Sequence, residues 1–242
     1  MKIAVISFTR QGGRLCSCLV EGLRKKGEDC EGYVLPRFFS EDLKKQKGIM
    51  PLEESAGEWT GKQFQRADGI IFIGAAGIAV RSVAPFLKDK MTDPAVVVMD
   101  ELGNYAVSLL SGHVGGANRL AAAAAKVCGA VPVITTATDV NGGTAIDVWA
   151  KSHNLLIEDR ESAKRLAAAA LEKETIGFFS DFPLSEPVPE GYARNRPGSM
   201  NVWITVKREA EEGVLKSLEE EGERLLLTLR KGISWNGWRT RR

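Results

Sequence analysis

Short, wholly apolar runs alternate with helix-compatible stretches along the first half of the chain, and this alternation constrains its fold more than any other feature. Ile70–Ile73 and Ala95–Met99 contain no polar residue. Strands of this kind are buried on both faces, as in a parallel sheet covered by helices. The pattern predicts an α/β fold in which a three-layer, mostly parallel sheet forms the N-terminal domain.

The regular alternation ends near Asn141–Gly143, where the composition changes. Helix-like and strand-like stretches continue beyond this point, but prolines crowd the segment between residues 183 and 197 and exclude a helix there. We predict two domains. Residues 1–142 form the α/β domain that carries the motifs described below, and residues 143–242 form a smaller α+β domain.

The composition excludes several classes of protein. Lys and Arg total 33 against 31 Asp and Glu, and the resulting net charge of +2 produces no chain-wide field that would recruit nucleic acid. No apolar stretch approaches the ~20 residues of a membrane-spanning helix, and the N-terminal apolar run is too short for a signal peptide. The four cysteines lack the paired spacing of a zinc site. We therefore expect a cytoplasmic protein with no metal site and no nucleic-acid or membrane partner.

Four polar or glycine-rich clusters follow predicted strands, and they are the candidates for a functional site. They are Gly74–Gly77, Asp100–Glu101, Ser111–Gly116 and Thr135–Asp139. In a parallel sheet the carboxyl ends of the strands lie at one edge, where crevices receive ligands. We therefore expect the four clusters to converge on one pocket.

The small residues of Gly74–Gly77 have two interpretations. Backbone amides at the start of the following helix could bind an anion, with Arg81 adding a positive charge. Alternatively, the small residues only allow the strand and the helix to pack closely. The stretch is neither a G-x-G-x-x-G fingerprint nor a Walker-type phosphate loop, so no nucleotide cofactor is indicated.

His113 is one of two histidines and lies between glycines at a predicted helix N-terminus. The positive end of the helix dipole favours the neutral imidazole, which can accept a proton from a reacting group. The alternative is an exposed histidine beside a helix cap formed by Ser111.

The two remaining clusters are also ambiguous. Asp100–Glu101 ends an apolar run, so at least one carboxylate emerges at the tip of a strand and could act as an acid or base. The alternative, a solvated turn before Gly103, needs no function. The hydroxyls and the carboxylate of Thr135–Asp139 could bind carboxylates of a ligand or cap the following helix.

Together, the order and spacing of these clusters resemble those of the cobalt-precorrin 5A hydrolase family of anaerobic cobalamin biosynthesis. The matching stretches are Gly74–Arg81, Asp100–Gly103, Ser111–Asn118 and Thr135–Asp139. The resemblance extends over Lys2–Lys151 and more loosely to Arg230. Any one stretch alone would be weak, whereas the four in order are specific.

The resemblance implies hydrolytic opening of the δ-lactone of cobalt-precorrin 5A, with release of acetaldehyde and formation of cobalt-precorrin 5B. Either His113 or Glu101 would activate water, and the amides of Gly115 and Gly116 would stabilise the oxyanion. The substrate itself carries the cobalt, so no further cofactor is expected. The full set of implied substrate-binding residues is Gly74, Gly77, Arg81, Ser111, Gly112, Gly115, Gly116, Asn118, Thr135, Thr136, Thr138 and Asp139.

Members of the family typically continue into a further C-terminal domain, which this chain is expected to lack, since its basic tail differs from the usual continuation. An alternative function follows. The chain would be a non-catalytic tetrapyrrole-binding or scaffold subunit that needs a separate partner for that domain. A homodimer, or association with other enzymes of cobalamin biosynthesis, is also left open.

Overall fold

The structure is a computed structural model of the chain. It describes residues 1–89, 92–113, 115–137, 146–153, 155–157, 160–183, 187–205 and 223–229. The chain divides into two compact units, Met1–Thr135 and Thr136–Arg242. The predicted boundary at residues 142 and 143 falls outside the described residues and stays a prediction.

The first unit contains the predicted alternation of strands and helices. Its strands are β1 (Lys2–Ser7), β2 (Asp29–Val34), β3 (Ile49–Pro51), β4 (Gly69–Ile73), β5 (Ala95–Met99), β6 (Tyr105–Leu110) and β7 (Val131–Val133). Its helices are α1 (Arg10–Lys25), α2 (Glu41–Lys44), α3 (Ala56–Arg66), α4 (Ala76–Val83) and α5 (Ala117–Cys128). Short 3-10 turns cover Pro36–Phe38 and Ala84–Phe86; Pro85 ends α4 because it lacks an amide hydrogen and clashes with the preceding turn.

Within the described part of the first unit, seven strands form one sheet in the order β3-β2-β1-β4-β5-β6-β7. The pairs from β3 through β5 are parallel, β6 is antiparallel to β5, and β7 is parallel to β6. The mostly parallel sheet is confirmed. The single reversal has a local cause: residues 100–104 join β5 to β6, whereas a parallel crossover needs a dozen or more residues.

Helices cover both faces of this sheet, which confirms the three-layer arrangement. One core cluster joins the sheet to α1 and α5 and includes Leu19, Val97 and Leu120. The other, on the α3 and α4 side, includes Trp59 and Phe72. The alanines of α5 that face the sheet are buried, and their small side chains let the helix lie close to the strands.

The second unit is smaller and combines helices with a mixed sheet. Its described strands are β8 (Leu155–Ile157), β9 (Ile176–Ser180), β10 (Tyr192–Arg194), β11 (Met200–Thr205) and β12 (Glu223–Leu229), in the order β10-β9-β11-β12-β8 with only β8 antiparallel to its neighbour. Helices α6 (Ile146–Ser152) and α7 (Arg160–Leu171) contribute to its core, in which Leu166 and Phe178 are fully buried. In the described ranges of both units, no helix has the length and apolar character needed to cross a membrane.

Candidate active site

The reversal of β6 separates the predicted site residues into two groups. Leu110 lies opposite Val96, near the start of β5, whereas Asp100 follows the end of β5. Ser111 and Asp100 are therefore separated by about five residues of strand, roughly 17 Å along the sheet. The prediction that all four clusters converge on one pocket is wrong, because the carboxyl ends of β6 and β7 lie at the opposite edge from those of β4 and β5.

The larger group surrounds His113 at the N-terminus of α5. The Gly116 amide donates to the His113 carbonyl at 3.0 Å, and the Ala117 amide donates to the Ser111 carbonyl at 3.1 Å. The Asn118 amide donates to the Gly112 carbonyl at 3.0 Å. These bonds close a short loop whose tip carries the half-buried His113. We call Ser111–Gly116 the His113 loop.

Glycine is required at two positions of the His113 loop. A Cβ atom at Gly115 would lie 2.2 Å from the Cβ atom of Ser111 and 2.7 Å from its carbonyl oxygen. Gly116 has φ 91°, a left-handed conformation that side chains disfavour. Ser111 also has a positive φ of 57°. The glycines therefore allow the loop to fold back on itself.

This closure changes the role expected of two residues. The Gly116 amide already donates to the His113 carbonyl, which counts against its expected role as an oxyanion donor; the roles of Gly115 and Gly116 stay predictions. The Ser111 hydroxyl oxygen is buried and has no hydrogen-bond partner among the described residues. It is enclosed rather than presented to a ligand at the surface.

Asn118 and the threonines after β7 complete this edge. The side-chain oxygen of Asn118 accepts a hydrogen bond from the Ser108 hydroxyl at 2.7 Å. Thr135 is exposed and follows β7, which runs parallel to β6, so it lies at the same edge as Ser111. Thr136 is half-buried and begins the second unit. Thr138 and Asp139 lie outside the described residues.

At the opposite edge, the structure favours the packing interpretation of Gly74–Gly77. A Cβ atom at Gly74 would lie 3.1 Å from the Phe8 ring, so the glycine lets the loops after β1 and β4 approach each other. The exposed Arg81 folds back on its own helix and donates to the Gly77 carbonyl at 3.2 Å. Gly74, Gly77 and Arg81 are thus not brought together with His113.

The carboxylate of Asp100 closes the turn between β5 and β6. It accepts from the amides of Leu102 at 3.0 Å and Tyr105 at 2.8 Å, and from the Asn104 side chain at 3.2 Å. The turn interpretation is therefore the one that the structure supports. Glu101 is exposed in this turn, at the edge opposite His113, so the two residues cannot serve as alternative bases for the same bond.

Other reactive groups of the first unit do not add to the site. Burial raises the pKa of the Cys16 thiol to about 12, with Cys30 nearby adding to the effect, and burial likewise raises the pKa of Cys30 to about 12. Both thiols stay protonated near neutral pH and are poor nucleophiles. Over the ranges that the structure describes, no three His, Cys, Asp or Glu side chains come together to hold a metal ion, and we assign no metal ligands.

A cavity of about 480 Å³ lies between α1 and the segment before β3, and none of the predicted site residues lines it. Arg24 in its wall donates to the carbonyls of Cys30 at 2.7 Å and Lys47 at 2.6 Å, and Lys25 pairs with Glu21. Its polar groups are therefore largely engaged with each other or with the backbone. The His113 loop, which has a potential base, is the better candidate for an active site.

Sequence reasoning missed Ser108, the partner of Asn118. Its residue type was unremarkable within a strand, and the only signal was a polar residue in an otherwise apolar run, Tyr105–Leu110. Sequence reasoning also missed the direction of β6, although the short connection of residues 100–104 could have indicated it.

Comparison with known proteins finds family matches in both units of the chain. The family model described as Cobalamin synthesis G N-terminal matches residues 58–139, and the one described as Cobalamin biosynthesis central region matches residues 144–215. Cobalt-precorrin-5A hydrolase of Salmonella typhimurium is 43% identical over 152 residues, which are 62% of this chain and 43% of that protein. The protein of the same name from Priestia megaterium is 34% identical over 178 residues, 74% of this chain and 46% of that protein. The chain thus spans under half the length of these two relatives.

A crystal structure described as that of a cobalamin biosynthesis protein G homolog from Sulfolobus solfataricus has a similar fold. The TM-score is 0.56 at 20% sequence identity, and the match covers 97% of this chain and 65% of that chain. At this identity the likeness supports the fold alone. The two family matches follow one another along the sequence, and the chain therefore contains the N-terminal and central regions of the cobalamin biosynthesis G family.

Proposed function

We propose that the chain acts as a cobalt-precorrin-5A hydrolase, which opens the δ-lactone of its substrate and releases acetaldehyde to give cobalt-precorrin 5B. The 43% identity to the Salmonella typhimurium protein of that name supports this function. The observation that carries it on the structural side is the His113 loop, which holds an imidazole at the N-terminus of α5.

His113 is the base in this proposal. Its imidazole takes a proton from water while the water oxygen attacks the lactone carbonyl carbon. The bond between that carbon and the ring oxygen then breaks, and the imidazolium returns its proton to the leaving alkoxide. In the following retro-aldol step the new hydroxyl loses its proton and becomes the carbonyl of acetaldehyde. The carbon–carbon bond breaks, and its electron pair and a proton remain on the macrocycle.

In this proposal, only the edge of the sheet that carries the His113 loop contributes residues to catalysis. The Gly115 amide is the remaining candidate donor to the oxyanion, and the exposed Thr135 hydroxyl is a candidate donor to a substrate carboxylate. Gly74, Gly77, Arg81 and Glu101 are left out because they lie at the other edge. The cobalt belongs to the substrate, and a cytoplasmic location is part of the proposal, since Cys16, Cys18, Cys30 and Cys128 are free thiols.

The test is incubation of the chain with cobalt-precorrin 5A, followed by an acetaldehyde assay and mass spectrometry of the corrinoid. Loss of a general base typically lowers kcat by about 100-fold to 10,000-fold, so His113→Ala should fall in that range. Glu101→Gln, at the opposite edge, is the matched control and should keep its activity. Full turnover by folded His113→Ala would remove His113 from the mechanism.

The same experiment tests the alternative of a non-catalytic tetrapyrrole-binding or scaffold subunit. If the chain binds the corrinoid but forms no acetaldehyde, the hydrolase proposal fails and the alternative is favoured. If it forms acetaldehyde by itself, the alternative is excluded.

A further inference from the structure

A side-chain hydrogen bond joins β6 to the first turn of α5 across the base of the His113 loop. The Ser108 hydroxyl donates to the side-chain oxygen of Asn118 at 2.7 Å, and the two half-buried residues are ten positions apart in the chain. His113 lies on the segment between them. The bond therefore ties together the two elements from which the loop emerges.

Asn118 holds the loop through its backbone as well. Its amide donates to the Gly112 carbonyl at 3.0 Å, next to the Ala117 amide on the Ser111 carbonyl at 3.1 Å. The residue thus contacts the loop just before His113 and contacts the strand through Ser108. A small shift of Asn118 would therefore disturb its contact with Gly112 and its contact with Ser108 at the same time.

The pair of Ser108 and Asn118 lies on two elements that also carry buried apolar residues. Ala106, Ala117 and Leu120 are buried in the apolar core where β6 meets α5, and the half-buried Ser108 and Asn118 belong to the same two elements. A polar pair is costly in such a place unless its hydrogen bonds are made. A hydrogen bond, unlike an apolar contact, also fixes the direction in which the helix begins.

We propose that Ser108 and Asn118 are positioning residues that hold the His113 loop in its active conformation. This inference rests on the proposed function, in which His113 is the base. The side-chain oxygen of Asn118 is committed to Ser108, and its backbone amide is committed to Gly112. Displacing a catalytic group by about 1 Å can lower the rate by as much as 100-fold.

The experiment compares Ser108→Ala, Asn118→Ala and the double variant in steady-state turnover of cobalt-precorrin 5A. We expect each single variant to lower kcat by roughly 10-fold to 100-fold with little change in KM, because geometry rather than binding is lost. The kcat of the double variant should equal that of the less active single variant, because each substitution removes the same hydrogen bond. Ser108→Thr keeps the hydroxyl and should restore kcat.

Ser17→Ala is a matched control. The Ser17 hydroxyl donates to the side-chain oxygen of Gln46, so the variant also removes a bond between serine and a carboxamide, but on α1 away from the His113 loop. Its kcat should equal that of the unmodified chain. If Ser108→Ala keeps full kcat while Asn118→Ala raises KM alone, Asn118 contacts the substrate and the proposal is overturned.

Two further measurements keep the proposal testable if an alanine variant folds poorly or the chain shows no turnover. Asn118→Asp keeps an oxygen for Ser108 and should leave KM unchanged, whereas a residue that binds a substrate carboxylate would raise KM as aspartate. Amide hydrogen exchange needs no substrate. Ser108→Ala should speed exchange at Gly116 and Asn118 by about 10-fold relative to Ser17→Ala, and equal rates would overturn the positioning role whatever the enzyme does.

Discussion

Replacing Gly115 with alanine tests whether the His113 loop is closed as tightly as the structure indicates. The new Cβ atom would lie 2.2 Å from the Cβ atom of Ser111 and 2.7 Å from its carbonyl oxygen. Carbon atoms in contact prefer about 3.5 to 4.0 Å, so the two parts of the loop must separate by roughly 1.5 Å. The obstacle is backbone and a Cβ atom, and no flexible side chain can turn away to relieve it.

The separation should affect both stability and catalysis. Overpacking of this kind typically lowers the free energy of unfolding by about 1 to 3 kcal/mol. A shift of more than 1 Å at His113 should lower kcat by about 100-fold if His113 is the base. Urea denaturation followed by circular dichroism measures the first effect, and the acetaldehyde assay measures the second.

Gly57 supplies the control for this prediction. It lies in α3, and a Cβ atom there would meet no atom within 4 Å. Gly57→Ala should raise the free energy of unfolding by up to about 1 kcal/mol, because alanine favours helix over glycine. If Gly115→Ala is as stable as the unmodified chain and as active, the loop does not have the closed geometry described above.

The remaining predictions concern the turn after β5 and the buried thiols. Asp100→Ala removes the acceptor of three turn hydrogen bonds and should lower the free energy of unfolding by about 1 to 2 kcal/mol, as urea denaturation will measure. Glu101 is exposed, so Glu101→Ala is the control and should change the free energy of unfolding by less than about 0.5 kcal/mol. Burial raises the pKa of Cys16 and of Cys30 from an ordinary 9.0 to about 12, so both thiols should resist iodoacetamide in the native protein at pH 8. The exposed Cys18 should react, and peptide mass spectrometry will measure the difference. Because these thiols ionise first in the unfolded chain, the free energy of unfolding should fall as pH rises above 9.0 toward 12, and pH-dependent denaturation checks this.

Three outcomes would contradict this second set of predictions. Equal stability of the Asp100→Ala and Glu101→Ala variants would show that the turn does not depend on the carboxylate of Asp100. Labelling of Cys16 at the rate of Cys18 would show that Cys16 is not buried between α1 and the sheet. A free energy of unfolding that stays constant between pH 9 and pH 11 would show that the two buried thiols do not have raised pKa values.

Local sequence predicted several elements of the first unit. Ile70–Ile73 and Ala95–Met99 became buried strands because a run without polar residues is stable only where both faces are covered. Pro85 ended α4 because proline lacks the amide hydrogen that a helix requires. His113 came to lie at the start of α5, since the glycines before Ala117 cannot continue a helix at low cost.

The sequence by itself determined which segments are strands and helices and which residues carry potential chemistry, because those properties depend on near neighbours in the chain. Only the tertiary structure decided which of those residues share an edge. An apolar run has no direction, and whether β6 runs with or against β5 depends on a pairing between two strands. The hydrogen bond between Ser108 and Asn118 was settled in the same way, since a hydroxyl on a strand and a carboxamide on a helix meet only after the helix has packed on the sheet.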